Sequence, residues 1–190
     1  MSISGRITRA FIDEGIIGQD DYVVYEYCIN AVLDIFGNIL VTMVLGLILN
    51  RLWETLIFLA VVIPLRSFAG GYHAKTSMGC LMLSVLYYLV SIYMPVYCIQ
   101  MENGKIHILY ALSAVIVFVM APTASVNKPL SKEQERQMHR LTGYMIFFIT
   151  ILYIFFQVYM KKIYAVELCV ILIILFLSQI SEKMKNLHSC

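Results

Sequence analysis

Long apolar runs separated by short polar stretches set the pattern of this chain. Six runs stand out, at about 22–49, 52–65, 78–100, 106–121, 141–160 and 164–180. They are continuous in Leu, Ile, Val and Phe, whereas the strands of an outer-membrane barrel alternate over segments of about ten residues. Most of them approach the ~20 residues that a helix needs to cross a bilayer. The pattern predicts an all-α polytopic membrane protein of about six transmembrane helices, folded as one integral membrane domain over 1–190. The second run is the shortest, and Pro64 followed by Arg66 is expected to disturb its helix as a polar loop begins.

The remaining segments have characters of their own. Residues 2–20 place Ile3, Ile7 and Phe11 at i, i+4, i+8, with Arg6, Arg9 and Asp13 on another side. That spacing suits an interfacial amphipathic helix, the alternative being a loosely ordered terminus. With Asp13, Glu14 and Asp20 and no apolar core, the same stretch is not expected to be a cleavable signal peptide. Within the first run Glu26, Asn30, Asp34 and Asn38 recur every four residues and share one helix face. Carboxylates facing lipid are costly, so this ribbon should face other helices or a wet cavity. Loops 66–77 and 122–140 are the main polar interruptions.

The distribution of Lys and Arg orients the chain. With the N-terminus inside, ten of the fourteen fall on inner segments: Arg6, Arg9, Arg66, Lys75, Lys128, Lys132, Arg136, Arg140, Lys183 and Lys185. Only Arg51, Lys105, Lys161 and Lys162 fall outside. The bias places both termini and both polar loops in the cytosol.

Composition narrows the function classes. The 190 residues are 61% hydrophobic and 14% charged, against roughly 45–50% and about 25% in soluble domains. A net charge of +2 gives no electrostatic footprint for nucleic acid. The five cysteines, Cys28, Cys80, Cys98, Cys169 and Cys190, show no CxxC or Cys/His ligand spacing. No disulfide framework, metal site or cofactor is therefore expected.

Candidate chemistry concentrates in loop 66–77 and the residues after it. His73 and Cys80 offer a base and a nucleophile, and Gly70 and Gly71 let the backbone turn tightly. Arg66 and Lys75 put positive charge nearby, and Thr76 or Ser77 can cap the helix whose positive end would favour an anionic sulfur. On one continuous helix His73 and Cys80 would stand about 10 Å apart, so the loop must fold back to join them. The bland alternative is an ordinary membrane-helix cysteine beside an interfacial histidine. Arg66 can stabilise an oxyanion, or pair with lipid phosphate or Glu26. Glu26 or Asp34 can orient His73, unless a backbone carbonyl does so.

The run Arg66-x3-Gly70-Gly71-x-His73-Ala74-x5-Cys80, followed by Ala121-Pro122-x5-Lys128-Pro129-Leu130, resembles the accessory gene regulator protein B (AgrB) family of quorum-sensing systems. The resemblance covers most of the chain. It implies a membrane-embedded cysteine endopeptidase that cleaves an AgrD-type propeptide, with Cys80 as nucleophile and His73 as its partner, and leaves a cyclic autoinducing peptide. It also implies a homodimer, and it matches Lys128 and Pro129 to the family's second loop. Lys128, Lys132 and Arg136 make that loop a candidate substrate-binding surface. The rival reading is a small peptide transporter that uses the Glu26-to-Asn38 ribbon as its pathway; a structural membrane subunit would leave the Gly-Gly-x-His loop unexplained.

Overall fold

The computed structural model describes residues 3–72, 76–123 and 131–188. Among the described residues seven α-helices follow one another: α1 (Ile3–Asp13), α2 (Tyr22–Ile48), α3 (Leu52–Ala69), α4 (Ser77–Cys98), α5 (Asn103–Met120), α6 (Lys132–Tyr159) and α7 (Lys162–His188). The fold is all-α, and α2 to α7 are each long and apolar enough to cross a membrane. The chain is a multi-pass membrane protein.

The helices are not equivalent. In the apolar window of α7 67% of residues are buried, against 11% for the first span, so α7 is the hub and α2 lies at the periphery. Helix α7 packs on α3, α4, α5 and α6. Its Leu168, Ile171, Leu172 and Leu175 interlock with Leu65 of α3, Tyr88 of α4, Val117 of α5 and Ile149 of α6. Large side chains left uncovered, such as Phe36, Val119, Phe147 and Ile154, suit a lipid solvent that is as apolar as they are.

Three local devices join the spans. Between α2 and α3 the chain reverses at Asn50, whose φ of 54° is a left-handed value that Asn tolerates. There the amides of Arg51 and Asn50 bond back to the carbonyls of Gly46 and Leu47 at 2.9 and 3.2 Å, closing the end of α2 as a Schellman motif does. Gly46 is needed where it stands, because a Cβ there would fall on the Thr55 side chain. At the start of α6, Ser131 and Gln134 exchange bonds in a capping box, which satisfies two of the amides a helix start leaves free.

Several boundaries differ from the sequence reading. Helix α3 continues through Pro64 to Ala69, so Arg66 and Ser67 lie on the helix and not in the loop. In a bilayer, helical pairing is the main way to satisfy the backbone, and a single proline does not outweigh it. The capping box starts α6 at Lys132, so about half of the expected loop 122–140 is helical. At ~1.5 Å per residue the 28 residues of α6 extend ~42 Å, against ~30 Å of hydrocarbon, which leaves its polar first turns outside. Helix α7 runs on to His188, so Lys183 and Lys185 are helical too. Helix α1 turns Ser4, Gly5 and Thr8 inward and packs on α2, leaving Ile3 and Phe11 exposed on its apolar stripe.

Candidate active site

The end of α3 is where the bundle turns sequence into a site. Gly70 has φ 74° and Gly71 φ 149°, values open to glycine and strained for other residues. A Cβ on Gly70 would strike the Thr123 carbonyl, and one on Gly71 would come within 2.8 Å of Ser178 Oγ. The chain passes so closely because two strips hold it. On one side Gly70 forms a parallel bridge with Thr123, and the Thr123 amide donates to the Ala69 carbonyl at 2.9 Å. On the other, α7 supplies Ser178, whose carbonyl and Oγ accept from the Tyr72 amide at 3.2 and 3.0 Å. Gln179 Nε2 donates to the Ala69 and Val117 carbonyls at 3.1 and 3.5 Å.

Arg66 faces into this arrangement. Its Nη2 donates to the Tyr72 carbonyl at 2.6 Å, which clamps the segment from the α3 side, and its Nε is buried without a hydrogen bond. Lys185 Nζ lies 5.2 Å from the centre of the Tyr72 ring, within cation–π range, and 3.6 Å from the Glu182 carboxylate. Glu182 is fully buried, with neither carboxylate oxygen hydrogen-bonded.

Cys80 closes the first turn of α4. Thr76 caps that helix by accepting from the Gly79 amide at 3.1 Å, and the Cys80 amide donates to the Thr76 carbonyl at 3.0 Å. The sulfur is a free thiol on a half-buried residue, at the end of a helix whose dipole is positive. Ser77 Oγ donates to Asp34 Oδ2 at 3.1 Å, so one member of the α2 ribbon fixes the start of α4, three residues before Cys80. Glu26 is half-buried two turns earlier on α2. His73 and Lys75 lie outside the described residues, as does Lys128. Cys28 is exposed, Cys98 half-buried and Cys169 buried.

The second loop contributes a basic groove. Ala121–Pro122, a cis peptide, ends beside the first turns of α6. Lys132, Arg136, His139 and Arg140 with Glu135 line a cleft of about 710 Å³ there. Lys132, Arg136 and Arg140 fall at i, i+4, i+8 and so share a face. His139 Nδ1 donates to the Ala121 carbonyl at 2.8 Å, tying the groove to the strip that holds Gly70. Among the described residues no cluster of His, Cys, Asp or Glu could hold a metal ion.

The sequence reading missed the contribution of α7. It ends the sixth run at 180 and gives Ser178, Gln179, Glu182 and Lys185 no role in the site, whereas three of the four bind or cover the segment from Ala69 to Tyr72. Their polarity was visible in an apolar helix; their partners, more than a hundred residues away in the chain, were not.

Comparison with known proteins agrees with this picture. The chain is 21% identical over 138 residues to an AgrB-like protein of Clostridium beijerinckii, covering 73% of this chain and 69% of that one. It is 26% identical over 123 residues to AgrB-like protein 2 of Clostridium perfringens, covering 60% and 56%. With accessory gene regulator protein B of Staphylococcus intermedius it shares 33% over 97 residues, half of each chain. No solved structure matches. The model of the family described as Accessory gene regulator B matches residues 4–181, nearly the whole length including every strip that holds the Gly-Gly turn, and the chain belongs to that family.

Proposed function

We propose that this protein is a membrane-embedded cysteine endopeptidase that cleaves a quorum-sensing propeptide through an acyl-enzyme thioester and supports its cyclisation to an autoinducing peptide. Family membership ties the chain to accessory gene regulator quorum sensing. The observation that carries the finer reading is the placement of Cys80: half-buried in the capped first turn of α4, after a loop whose Gly70-Gly71 bend is held on three sides. A packing cysteine needs no such scaffold.

In this reading His73 takes the proton of Cys80, and the thiolate attacks a peptide carbonyl of the propeptide. Protonated His73 then gives its proton to the departing amine. The C-terminal fragment leaves and a thioester on Cys80 remains. A nucleophilic side chain within the substrate attacks that thioester, closes the ring and returns the sulfur to Cys80. Attack by an internal cysteine exchanges one thioester for another at little cost in bond energy. Arg66 takes a supporting part, holding the loop through Tyr72, and Asp34 fixes α4 through Ser77. Lys132 and Arg136, with Lys128, receive an acidic segment of the substrate at the cytosolic face, and the active form is a homodimer.

The transport alternative rests on the α2 ribbon. That ribbon forms no continuous interior path: Asn30 is exposed, Asp34 is engaged by Ser77, and further along the same face Thr42 is buried and Gly46 abuts Thr55. A permeation path needs such continuity, so these observations favour peptide chemistry. The test is co-expression with the candidate propeptide, following cleavage by mass spectrometry. Cys80→Ala and His73→Ala should each abolish processing while the protein still reaches the membrane. Processing at the parental rate in either variant overturns the assignment, and movement of uncleaved peptide across the membrane supports the transporter.

A further inference from the structure

Tyr72 is held at its amide, its carbonyl and its ring. Ser178 of α7 receives the amide, through its carbonyl at 3.2 Å and its Oγ at 3.0 Å, and Arg66 Nη2 of α3 donates to the carbonyl at 2.6 Å. Lys185 Nζ stands 5.2 Å from the ring centre, where a cation is attracted to an aromatic face. Ser178, Glu182 and Lys185 fall at i, i+4 and i+7 of α7, so they share a face. Side chains on a helix lean toward its N-terminus, which brings Lys185 back over the turn that carries Glu182. There the ammonium lies 3.6 Å from the Glu182 carboxylate, with 32% of the lysine side chain exposed and none of the glutamate. The carboxylate makes no hydrogen bond, so the ion pair is its contact with polar chemistry.

A buried pair of this kind adds little to stability, because desolvation offsets the attraction. An ionisable side chain on a membrane helix points instead to a functional role. What Glu182 fixes is the place of the ammonium, which on its flexible four-carbon stem has no preferred position of its own. We propose that Glu182 and Lys185 form a positioning pair that sets the direction of His73 through the Tyr72 ring. His73 follows Tyr72 directly, and the Tyr72 carbonyl and the His73 nitrogen belong to one planar peptide unit. With Tyr72 fixed at three points, the bond from which the imidazole departs is fixed relative to α7. Both residues act through Tyr72 and take no part in proton transfer. The inference rests on the reading of His73 as the base for Cys80.

The test is cleavage kinetics of the full chain in detergent with its candidate propeptide. Lys185→Met keeps the length of the stem and removes the charge; kcat should fall about tenfold or more with KM unchanged, since a small displacement of a catalytic group costs up to about a hundredfold. Lys185→Arg, which can pair with the carboxylate and lie over the ring, should restore most of the rate. Tyr72→Phe keeps the ring and should stay near the parental rate, whereas Tyr72→Leu should lose at least as much as Lys185→Met. Combining Tyr72→Leu with Lys185→Met should then be no slower than Tyr72→Leu alone, because the lysine acts through the ring. Glu182→Gln should also lower kcat. Glu167→Gln is its control: that carboxyl is as buried and as lacking in hydrogen bonds on the same helix, but lies about 22 Å away along α7, and the variant should keep the parental kcat. A parental kcat in Lys185→Met, a rise in KM with kcat kept, an additive loss in the double variant, or equal losses in Glu182→Gln and Glu167→Gln would overturn the proposal. Cleavage that survives Cys80→Ala or His73→Ala overturns the peptidase reading itself; with both residues required and Lys185→Met at the parental rate, the positioning role alone falls.

Discussion

Substituting alanine at Gly71 tests whether the loop rests on α7, because the structure separates two costs there. The first is conformational: a φ of 149° is unfavourable for an L-residue by about 1–3 kcal/mol. The second is steric: the new methyl would stand 2.8 Å from Ser178 Oγ, an overlap costing about 1–3 kcal/mol unless something yields. Ser178→Ala removes the obstructing oxygen. Alone it loses one acceptor of the Tyr72 amide, and the Ser178 carbonyl at 3.2 Å remains, so its own cost is about 0.5–1 kcal/mol. The double variant should therefore recover the steric part but not the conformational part, with a coupling energy of about 1–3 kcal/mol. Gly70→Ala is the contrast, since its methyl would meet the Thr123 main-chain carbonyl, which no side-chain change can remove. The assay is thermal unfolding in detergent, followed in parallel with propeptide cleavage. Additivity of Gly71→Ala and Ser178→Ala to within about 0.5 kcal/mol would show that the loop does not lie against α7, and the site geometry would fall with it.

Other perturbations follow from the same structure. Gln179→Leu should destabilise by about 1–2 kcal/mol in a melting experiment; the loss stays at the low end because the Ala69 and Val117 carbonyls keep the amides of Thr123 and Ala121 as donors. Ser131→Ala breaks the capping box and should cost about 1 kcal/mol, read as a lower melting temperature with cleavage otherwise intact. Reversing charge with Lys132→Glu and Arg136→Glu should raise KM for an acidic propeptide with kcat unchanged, an effect that salt diminishes; an unchanged KM at low salt would remove the groove from substrate binding. Asp34→Asn keeps an acceptor for Ser77 and should retain most activity, whereas Asp34→Leu loses it and should reduce cleavage severalfold without altering membrane insertion.

The six spans were legible because hydrocarbon permits few alternatives to long apolar helices. Their ends were less so. Pro64 and Arg66 read as a stop, yet pairing of the surrounding backbone carried α3 on to Ala69. The polar stretch before Leu141 read as loop although Ser131 and Gln134 already spelled a capping box, a local signal that hydropathy overshadowed. Cys80, Arg66 and the paired glycines stood out as the unusual residues of a greasy chain, and Asp34 through its four-residue spacing. That periodicity marked a shared helix face, which is only partly covered because Asn30 is exposed, but not the hydroxyl that Asp34 meets, since Ser77 lies 43 residues away. The choice of α7 as hub had one sequence signal that the reading did not use: its apolar window is the most hydrophobic of the six, as suits a helix buried on all sides.

The position of that hub in the chain has a consequence for synthesis. A ribosome feeding the membrane delivers α2 to α6 before α7, so the bend at Gly71 exists as a nascent segment before Ser178 can seat it. Until the sixth span is threaded among its predecessors, the tyrosine amide that serine will receive has no berth. A half-made copy therefore carries the thiol without the frame around it, and the turn is seated only when translation has supplied the last crossing.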